Sequence, residues 1–281
     1  MRKRTRTPSA DRAPDEPKIV FDERTPYDSY VGATQLHGMQ NLLTDSPEEM
    51  PFLVVSQIME LYFGLICFEW NRAIHALADD DLDTALVALR RSEKSLEGLN
   101  AVWLSLSWMT PHQFNTFRAE LGEGSGFQSA QYRRMEFLIG NKSRQMVAPH
   151  KNTPGIYEEL LEALETPSLY DEALAWLARR GHDVPADALD RAWDAPYEEN
   201  PGVESVWVNI FVNEPDPEIT LAETLADVAA ALGRWKFEHL TAVRRTMGAK
   251  PGTGGSSGIA WLERSLAKAP FPEMWAARTA V

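Results

Sequence analysis

A long stretch of helical periodicity that ends in a glycine-rich run constrains this 281-residue chain most strongly. Apolar side chains recur there at intervals of three and four residues, which places them on one face of an α-helix. That face carries Leu221, Leu225, Val228, Leu232, Trp235, His239, Ala242 and Thr246. The run Gly252–Gly258 (GTGGSSG) has too little side chain to pack as a helix or strand. The pattern predicts a long buried helix that leads into a specialised loop.

His239 lies on the apolar face of this predicted helix. A single histidine on such a face is most often a hydrogen-bonded core residue, and a Gly/Ser run is most often a flexible loop. An inward-facing imidazole beside a loop rich in backbone N–H and hydroxyl groups also suits a ligand to a large bound group. Spacing alone leaves both interpretations open.

Charge and cysteine content narrow the classes of function. The chain has 28 basic and 41 acidic residues, a net charge of −13. An acidic chain is a poor partner for nucleic acid, so a small-molecule partner is expected. One cysteine, Cys67, provides neither a disulfide framework nor a cysteine-based metal cluster. It fits a reducing compartment, and we expect a cytoplasmic protein.

No membrane segment is expected, because no run reaches the roughly 18 uninterrupted apolar residues of a membrane span. The basic N-terminus lacks the apolar stretch of a secretory signal. Residues 1–20, rich in Pro, Arg and Asp, are predicted to form a disordered tail.

Helical patterns cover most of the remaining chain. The segment Phe52–Trp70 is apolar on almost every face, which predicts a buried central helix. An amphipathic helix is predicted over 82–108, and Thr110 with Pro111 starts another that runs to Leu121. Further helices are predicted over 128–139, 168–180 and 219–247.

The predicted class is all-α, since no alternating strand pattern or fixed-period repeat is found. Residues 21–281 are expected to form a single domain. Within it, residues 155–216 are expected to form a smaller peripheral helical insertion, because part of that stretch is rich in proline and has little periodicity.

Several segments together resemble the tryptophan 2,3-dioxygenase family, in the same order and over about residues 27 to 279. They are FLVVSQIMELYF from Phe52, Phe117-Arg118, SGFQS from Ser125 with Gln131-Tyr132-Arg133, IGNK from Ile139, PSLY from Pro167, Trp235 with His239, and GTGGSSG. The resemblance implies a helical bundle around a buried heme b, an oxygenase that uses O2, and a tryptophan-like substrate. It also implies a homotetramer.

Site residues follow from the resemblance position by position. His239 matches the histidine that binds the heme iron. Arg118 matches the arginine that grips the substrate carboxylate, and Thr253 matches a threonine beside the substrate ammonium and carboxylate. Phe52 resembles the aromatic residue that packs on the indole. The resemblance also places Leu121, Ser125, Tyr27 and Tyr30 at the substrate, the two tyrosines from a neighbouring subunit, and Trp103, Ser125, Gly126, Tyr132 and Trp235 at the heme.

Some of these residues have plainer interpretations. Phe52 and Trp103 on buried helices would be core residues in most proteins, and Tyr27 and Tyr30 could be surface anchors. Arg118 is harder to explain in this way, because it lies among aromatic residues just before a glycine-rich break.

Two positions that the family uses in catalysis are changed here. Ser56 stands where the family's typical enzyme has a distal histidine, and Phe114 stands in place of a tyrosine. Indoleamine 2,3-dioxygenase, a distant relative, also carries serine at the distal place, so indole oxygenation remains possible. Similar proteins serve bacterial secondary metabolism and oxidise substituted tryptophans such as β-methyltryptophan.

We therefore expect a heme-dependent oxygenase of indole C2 and C3 that favours a single-oxygen, oxindole-type product with an external reductant. The alternative is the dioxygenase reaction, which gives N-formyl-L-kynurenine. Two further alternatives are a heme or amino-acid sensor and a tyrosine hydroxylase on the same scaffold.

Overall fold

The computed structural model describes residues 17–281, so most of the predicted tail 1–20 lies outside the described residues. Every regular element within the described part is helical and no strand occurs there, which confirms the all-α class. The α-helices are α1 Pro26–Val31, α2 Ala33–Leu36, α3 Glu49–Ala78, α4 Leu82–Val102, α5 Pro111–Asn115, α6 Ala130–Leu138, α7 Ile156–Glu165, α8 Leu169–Arg179, α9 Ala186–Leu189, α10 Pro201–Asn213, α11 Glu218–Met247, α12 Ile259–Ala267 and α13 Pro272–Ala277. Short 3₁₀ helices cover Trp103–Leu106, Arg118–Leu121, Gly126–Gln128 and Arg144–His150.

The chain divides into two compact units, Met1–Asn41 and Leu42–Val281. The described part of the first unit contains α1 and α2, and none of its residues from 17 to 41 is buried. Thr25 caps α1, with its hydroxyl accepting from the backbone N–H of Asp28. The second unit holds the hydrophobic core and the helices described below.

Helix α3 is the central helix of the second unit and packs against α4, α6 and α8. Phe63, Ile66 and Trp70 lie on its buried side. The indole Nε1 of Trp70 donates to Ser92 Oγ on α4 at 2.9 Å, which satisfies both polar groups inside the core. The predicted central helix is thus present, and it is longer than the apolar run that identified it.

The expectation that α3 is buried all round is wrong for one side. Leu61, Leu65 and Phe68 are 63%, 46% and 59% exposed, and their spacing of four and three residues places them in one stripe. Length and composition would also let α3 cross a membrane. Because the opposite face of α3 is deeply buried, α3 has the pattern of a core helix of which one side is exposed.

Two predicted helices are shorter than expected. Helix α4 ends at Val102 and continues as the 3₁₀ helix Trp103–Leu106. Thr110 caps α5 reciprocally with Gln113, as its sequence predicts, but α5 ends at Asn115. Phe114, in α5, and Phe117, just after it, both belong to one apolar cluster.

The region 155–216 contains α7 to α10, and of these only α8 was predicted individually. Asn200 caps α10 by accepting from the backbone N–H of Gly202. Trp207 of α10 and Tyr170 of α8 belong to the same core as α3 and α4. Helix α13 is tied to this region by buried Glu273, which accepts from Tyr170 Oη at 2.8 Å.

Candidate active site

His239 lies on α11, in a group of aromatic side chains drawn from four segments of the chain. Its imidazole stacks on the Trp103 ring, with centroids 5.2 Å apart and an angle of 18° between the planes. The Trp235 ring, one helical turn earlier on α11, lies 5.4 Å from it. Phe63 of α3 and Tyr132 of α6 pack on Trp235 at 5.4 and 5.1 Å. The structure thus brings the predicted residues His239, Trp103, Trp235 and Tyr132 together.

The surroundings of His239 keep its imidazole neutral. Burial among these rings lowers the pKa of His239 to about 4, because the cationic form loses its solvation. Part of the residue remains accessible to solvent, so the apolar packing is one-sided. A neutral imidazole keeps the lone pair that a metal ion requires at physiological pH.

The described residues offer a metal few other ligands. Residues 17–281 contain no group of three or more His, Cys, Asp or Glu side chains that could hold a metal ion. A metal bound by His239 would therefore need its remaining ligands from a non-protein source, as a porphyrin supplies them.

Unpaired buried donors around His239 are also consistent with a porphyrin. The indole Nε1 atoms of Trp103 and Trp235 are buried and have no hydrogen-bond partner within residues 17–281. The Nη2 atom of Arg133 is likewise buried without a hydrogen-bond partner, although its Nη1 atom pairs with Glu136. Unpaired buried N–H groups are costly, and the carboxylates of a heme would satisfy them.

Arg133 was not among the residues assigned from the sequence. It follows Tyr132 directly, its side chain is 5% exposed, and its guanidinium lies 6.0 Å from the Tyr132 ring. The available signal was the motif Gln131-Tyr132-Arg133, in which a charged residue falls on the buried face of a short helix.

A second, apolar cluster lies around Phe52 at the N-terminal end of α3. Its ring centroid is 5.7 Å from that of Phe114 and 5.3 Å from that of Phe117. Leu121, Leu106, Met109 and Met247 complete the cluster. The structure thus assembles the predicted pocket residues Phe52, Phe114 and Leu121 into one surface suited to an aromatic ring.

Arg118 borders this cluster and contacts the glycine-rich loop. Its Nη2 donates to the carbonyl oxygen of Pro251 at 2.8 Å, while its Nε is buried without a partner among the described residues. A guanidinium with an unused N–H can bind a carboxylate while it keeps its contact to the loop.

Thr253 holds the loop against the segment after Arg118. Its Oγ1 donates to the carbonyl oxygen of Gly124 at 2.5 Å. Gly254 lies so close to Ser125 that a Cβ atom on Gly254 would be 2.8 Å from the Cβ of Ser125, so this position requires glycine. Ser125 caps the 3₁₀ turn that begins at Gly126, with Oγ accepting from Phe127 N at 3.3 Å. The predicted residues Arg118, Ser125, Gly126 and Thr253 are therefore near one another.

Helix α3 links the two clusters. Phe52 belongs to the apolar cluster and Phe63 to the aromatic group around His239, and eleven residues of helix separate them by roughly 16 Å along the axis. Ser56 lies between them, and its hydroxyl donates to the carbonyl oxygen of Phe52 at 2.9 Å. The position between the clusters thus carries a small side chain already hydrogen-bonded to its own helix.

Tyr27 and Tyr30 lie on α1 in the first unit and are 70% and 93% exposed. Their predicted part in a neighbouring subunit's site stays a prediction.

An inward imidazole with unpaired N–H donors, and an apolar cluster bordered by an arginine, are features of a cofactor-dependent enzyme of the all-α class. Comparison with known proteins identifies the family within this class. The family model for tryptophan 2,3-dioxygenase matches residues 13–215 and 212–281. The chain therefore belongs to the tryptophan 2,3-dioxygenase family, whose enzymes are dioxygenases among the oxidoreductases.

Curated relatives agree along almost the whole chain. A tryptophan 2,3-dioxygenase of Bordetella pertussis (strain Tohama I) is 39% identical over 277 residues, 98% of each chain. One from Burkholderia orbicola (strain MC0-3) is 39% identical over 93% of this chain and 85% of its own length. One from Polaromonas naphthalenivorans (strain CJ2) is 39% identical over 93% and 94%.

Proposed function

We propose that this protein binds heme b through His239 and uses O2 to cleave the indole C2–C3 bond of L-tryptophan, giving N-formyl-L-kynurenine. The observation that carries the proposal is the His239 group itself. A neutral imidazole packs against Trp103 and Trp235, whose buried N–H groups lack partners, and Arg133 beside Tyr132 has a further buried donor without one. This combination suits a flat dicarboxylate cofactor. The names of the relatives favour this reaction over the single-oxygen outcome expected from the sequence.

The protein contributes binding, orientation and exclusion of water, while a bound heme supplies the activation of O2. Trp103, Trp235 and Arg133 would hold the two propionates of the heme, and Tyr132 would pack beside it. Phe52, Phe114 and Leu121 would hold the indole ring.

Arg118 and Thr253 would orient the amino-acid part of the substrate. The unpaired Nε of Arg118 would donate to the α-carboxylate, and the Thr253 hydroxyl would exchange its contact with Gly124 for the substrate. Fixing both ends of the substrate contributes to the rate by removing rotational freedom before reaction.

A second candidate reaction is the insertion of one oxygen atom into a substituted tryptophan such as β-methyltryptophan, with an external reductant. Ser56 favours it, because the position between the two clusters offers no imidazole to accept the indole N–H proton. Phe114 likewise presents no hydroxyl to the pocket.

In this proposal the protein is a cytoplasmic homotetramer. Each subunit has one oxygenase domain over 21–281, with a helical insertion over 155–216. The exposed stripe Leu61, Leu65 and Phe68 supports self-association, because apolar side chains in a row are stabilised when another subunit covers them. In that assembly, Tyr27 and Tyr30 would complete a neighbouring site.

Product analysis under isotopically labelled O2 tests the proposal. Ferrous heme-loaded protein is incubated with tryptophan, β-methyltryptophan or tyrosine, and the products are analysed by mass spectrometry. Two labelled atoms in a kynurenine-type product support ring cleavage, and one labelled atom supports the second candidate. Oxidation of tyrosine alone would contradict both, as would substrate binding without turnover, which indicates a sensor.

A further inference from the structure

Lys236 is a buried lysine on α11 whose charge faces the end of another helix. It is 7% exposed, and its Nζ donates to the carbonyl oxygens of Ser265 at 3.1 Å and Lys268 at 3.3 Å. Both carbonyls lie at the C-terminal end of α12, where a helix has unpaired acceptors and a partial negative charge. Lys236 therefore fastens the C-terminal end of α12 to α11.

The same end of α12 is also tied to the aromatic group around His239. The Ser265 side chain lies near the hydroxyl of Tyr132, whose ring packs on Trp235. Because Lys236 directly follows Trp235, the Lys236 contact and the Tyr132 ring meet at one turn of α11. The last turn of α12 is thus fixed to the part of the fold that carries His239.

The other end of α12 carries the glycine-rich loop. Gly258, the residue before α12, has φ of 60°, and a Cβ there would be 2.7 Å from the Lys250 carbonyl oxygen. The loop meets the segment that follows Arg118 through the hydrogen bonds Arg118 to Pro251 and Thr253 to Gly124, and through the close approach of Gly254 to Ser125. Because Gly258 joins the loop directly to α12, a shift of α12 would move Pro251 and Thr253 relative to Arg118.

We propose that Lys236 is a positioning residue that holds the 250–258 loop over Arg118 by fixing the C-terminal end of α12 to the His239-bearing helix. This contact keeps the 250–258 loop at a fixed position relative to α11, the helix that carries His239. The inference rests on the proposed function only for its effect on substrate binding, since the contact and its effect on the loop do not depend on catalysis.

Hydrogen–deuterium exchange of the heme-loaded, substrate-free protein tests the link directly. Lys236→Met should make amides of residues 250–258 exchange about tenfold faster, because a charged hydrogen-bond pair at the helix end is lost. Lys236→Arg keeps the charge and the donors and should restore protection of the loop. Ser265→Ala, which removes the contact to Tyr132 without burying a new group, should give a smaller increase in the same peptides.

The chain offers a matched control in Lys142. This lysine is 1% exposed, and its Nζ donates to the carbonyl oxygens of Leu164 and Thr166 at the C-terminal end of α7. Lys142→Met thus removes the same kind of contact at another helix end. It should lower thermal stability while loop exchange stays unchanged.

Steady-state kinetics tests whether the Lys236 contact affects substrate binding. Lys236→Met should raise KM for tryptophan about tenfold, with kcat changed less than about threefold and the heme absorbance band unmoved. Loop exchange as slow as in the unmutated protein would overturn the inference, and so would equal loosening of the loop in Lys142→Met. Faster loop exchange with unchanged KM would support the link through α12 and contradict instead the substrate role proposed for the loop.

Discussion

The indole ring of Trp103 stacks on the imidazole of His239 at a centroid distance of 5.2 Å, although the two residues come from separate helices. The stack fixes the plane of the imidazole before any metal is bound. A ligand held in one orientation loses little freedom on binding, so the packing of Trp103 on α11 would contribute to affinity for the proposed cofactor.

His239→Ala should abolish stable heme binding, because the imidazole is the one iron ligand that the proposal assigns to the protein. Loss of a residue that only supports a metal ligand costs 10- to 100-fold in affinity, so loss of the ligand should cost roughly 100-fold or more. Heme content is measured by absorbance after reconstitution. The exposed His112 provides the control, as His112→Ala should bind heme normally. Full heme occupancy in His239→Ala would show that another residue binds the iron.

Arg118→Leu should weaken tryptophan binding about 30-fold or more, since a buried carboxylate loses a charge-assisted partner. Binding is followed by titration of the heme-loaded protein. Indole, which has no carboxylate, should bind the variant and the unmutated protein equally well. If the substitution weakens indole binding as much as tryptophan binding, Arg118 acts on the shape of the pocket and not on the carboxylate.

Ser56→His should shift products toward ring cleavage if the missing imidazole is what allows single-oxygen products. Phe114→Tyr restores a hydroxyl to the same pocket and provides a second, independent change. The ratio of one-oxygen to two-oxygen products is measured by mass spectrometry with tryptophan and with β-methyltryptophan. Unmutated protein that forms only kynurenine-type products from both substrates would remove the basis for this prediction.

Leu61→Glu with Phe68→Glu should dissociate the proposed tetramer, because two carboxylates placed in the exposed stripe of α3 would have to be desolvated on association. Light scattering coupled to size-exclusion chromatography measures the mass. Val212, on α10, is 60% exposed and lies outside the stripe, so Val212→Glu should leave the mass unchanged. An unmutated protein that is already monomeric at micromolar concentration would refute the assembly.

Lys142 should make stability depend on pH in alkaline solution. Burial lowers the pKa of Lys142 from 10.5 to about 8, so the unfolded chain binds more protons than the folded protein between these values. The contribution of Lys142 to the unfolding free energy therefore rises as pH increases from 8 to 10.5 and falls as pH returns toward 8. Denaturant unfolding of unmutated protein and Lys142→Met measures the difference. Parallel pH profiles would contradict the lowered pKa.

Local sequence determined the helices and their ends. Thr110 with Gln113 and Ser168 with Asp171 form the reciprocal caps that start α5 and α8, because each cap needs only residues three positions apart. The spacing of apolar residues placed His239 on the inner face of α11 for the same reason. Resemblance to a family supplied the roles proposed for Arg118 and Thr253, which spacing alone does not give.

Tertiary structure decided which of these residues meet. Arg118 reaches Pro251 across 133 positions, and Thr253 reaches Gly124 across 129, so both contacts depend on how α11 and α12 return the chain to the Arg118 segment. The periodicity of apolar residues likewise did not predict the unpaired donor of Arg133 or the exposed side of α3. Periodicity identifies the apolar face of a helix, but the packing of the other helices determines which part of that face is covered and which buried polar atoms lack a partner.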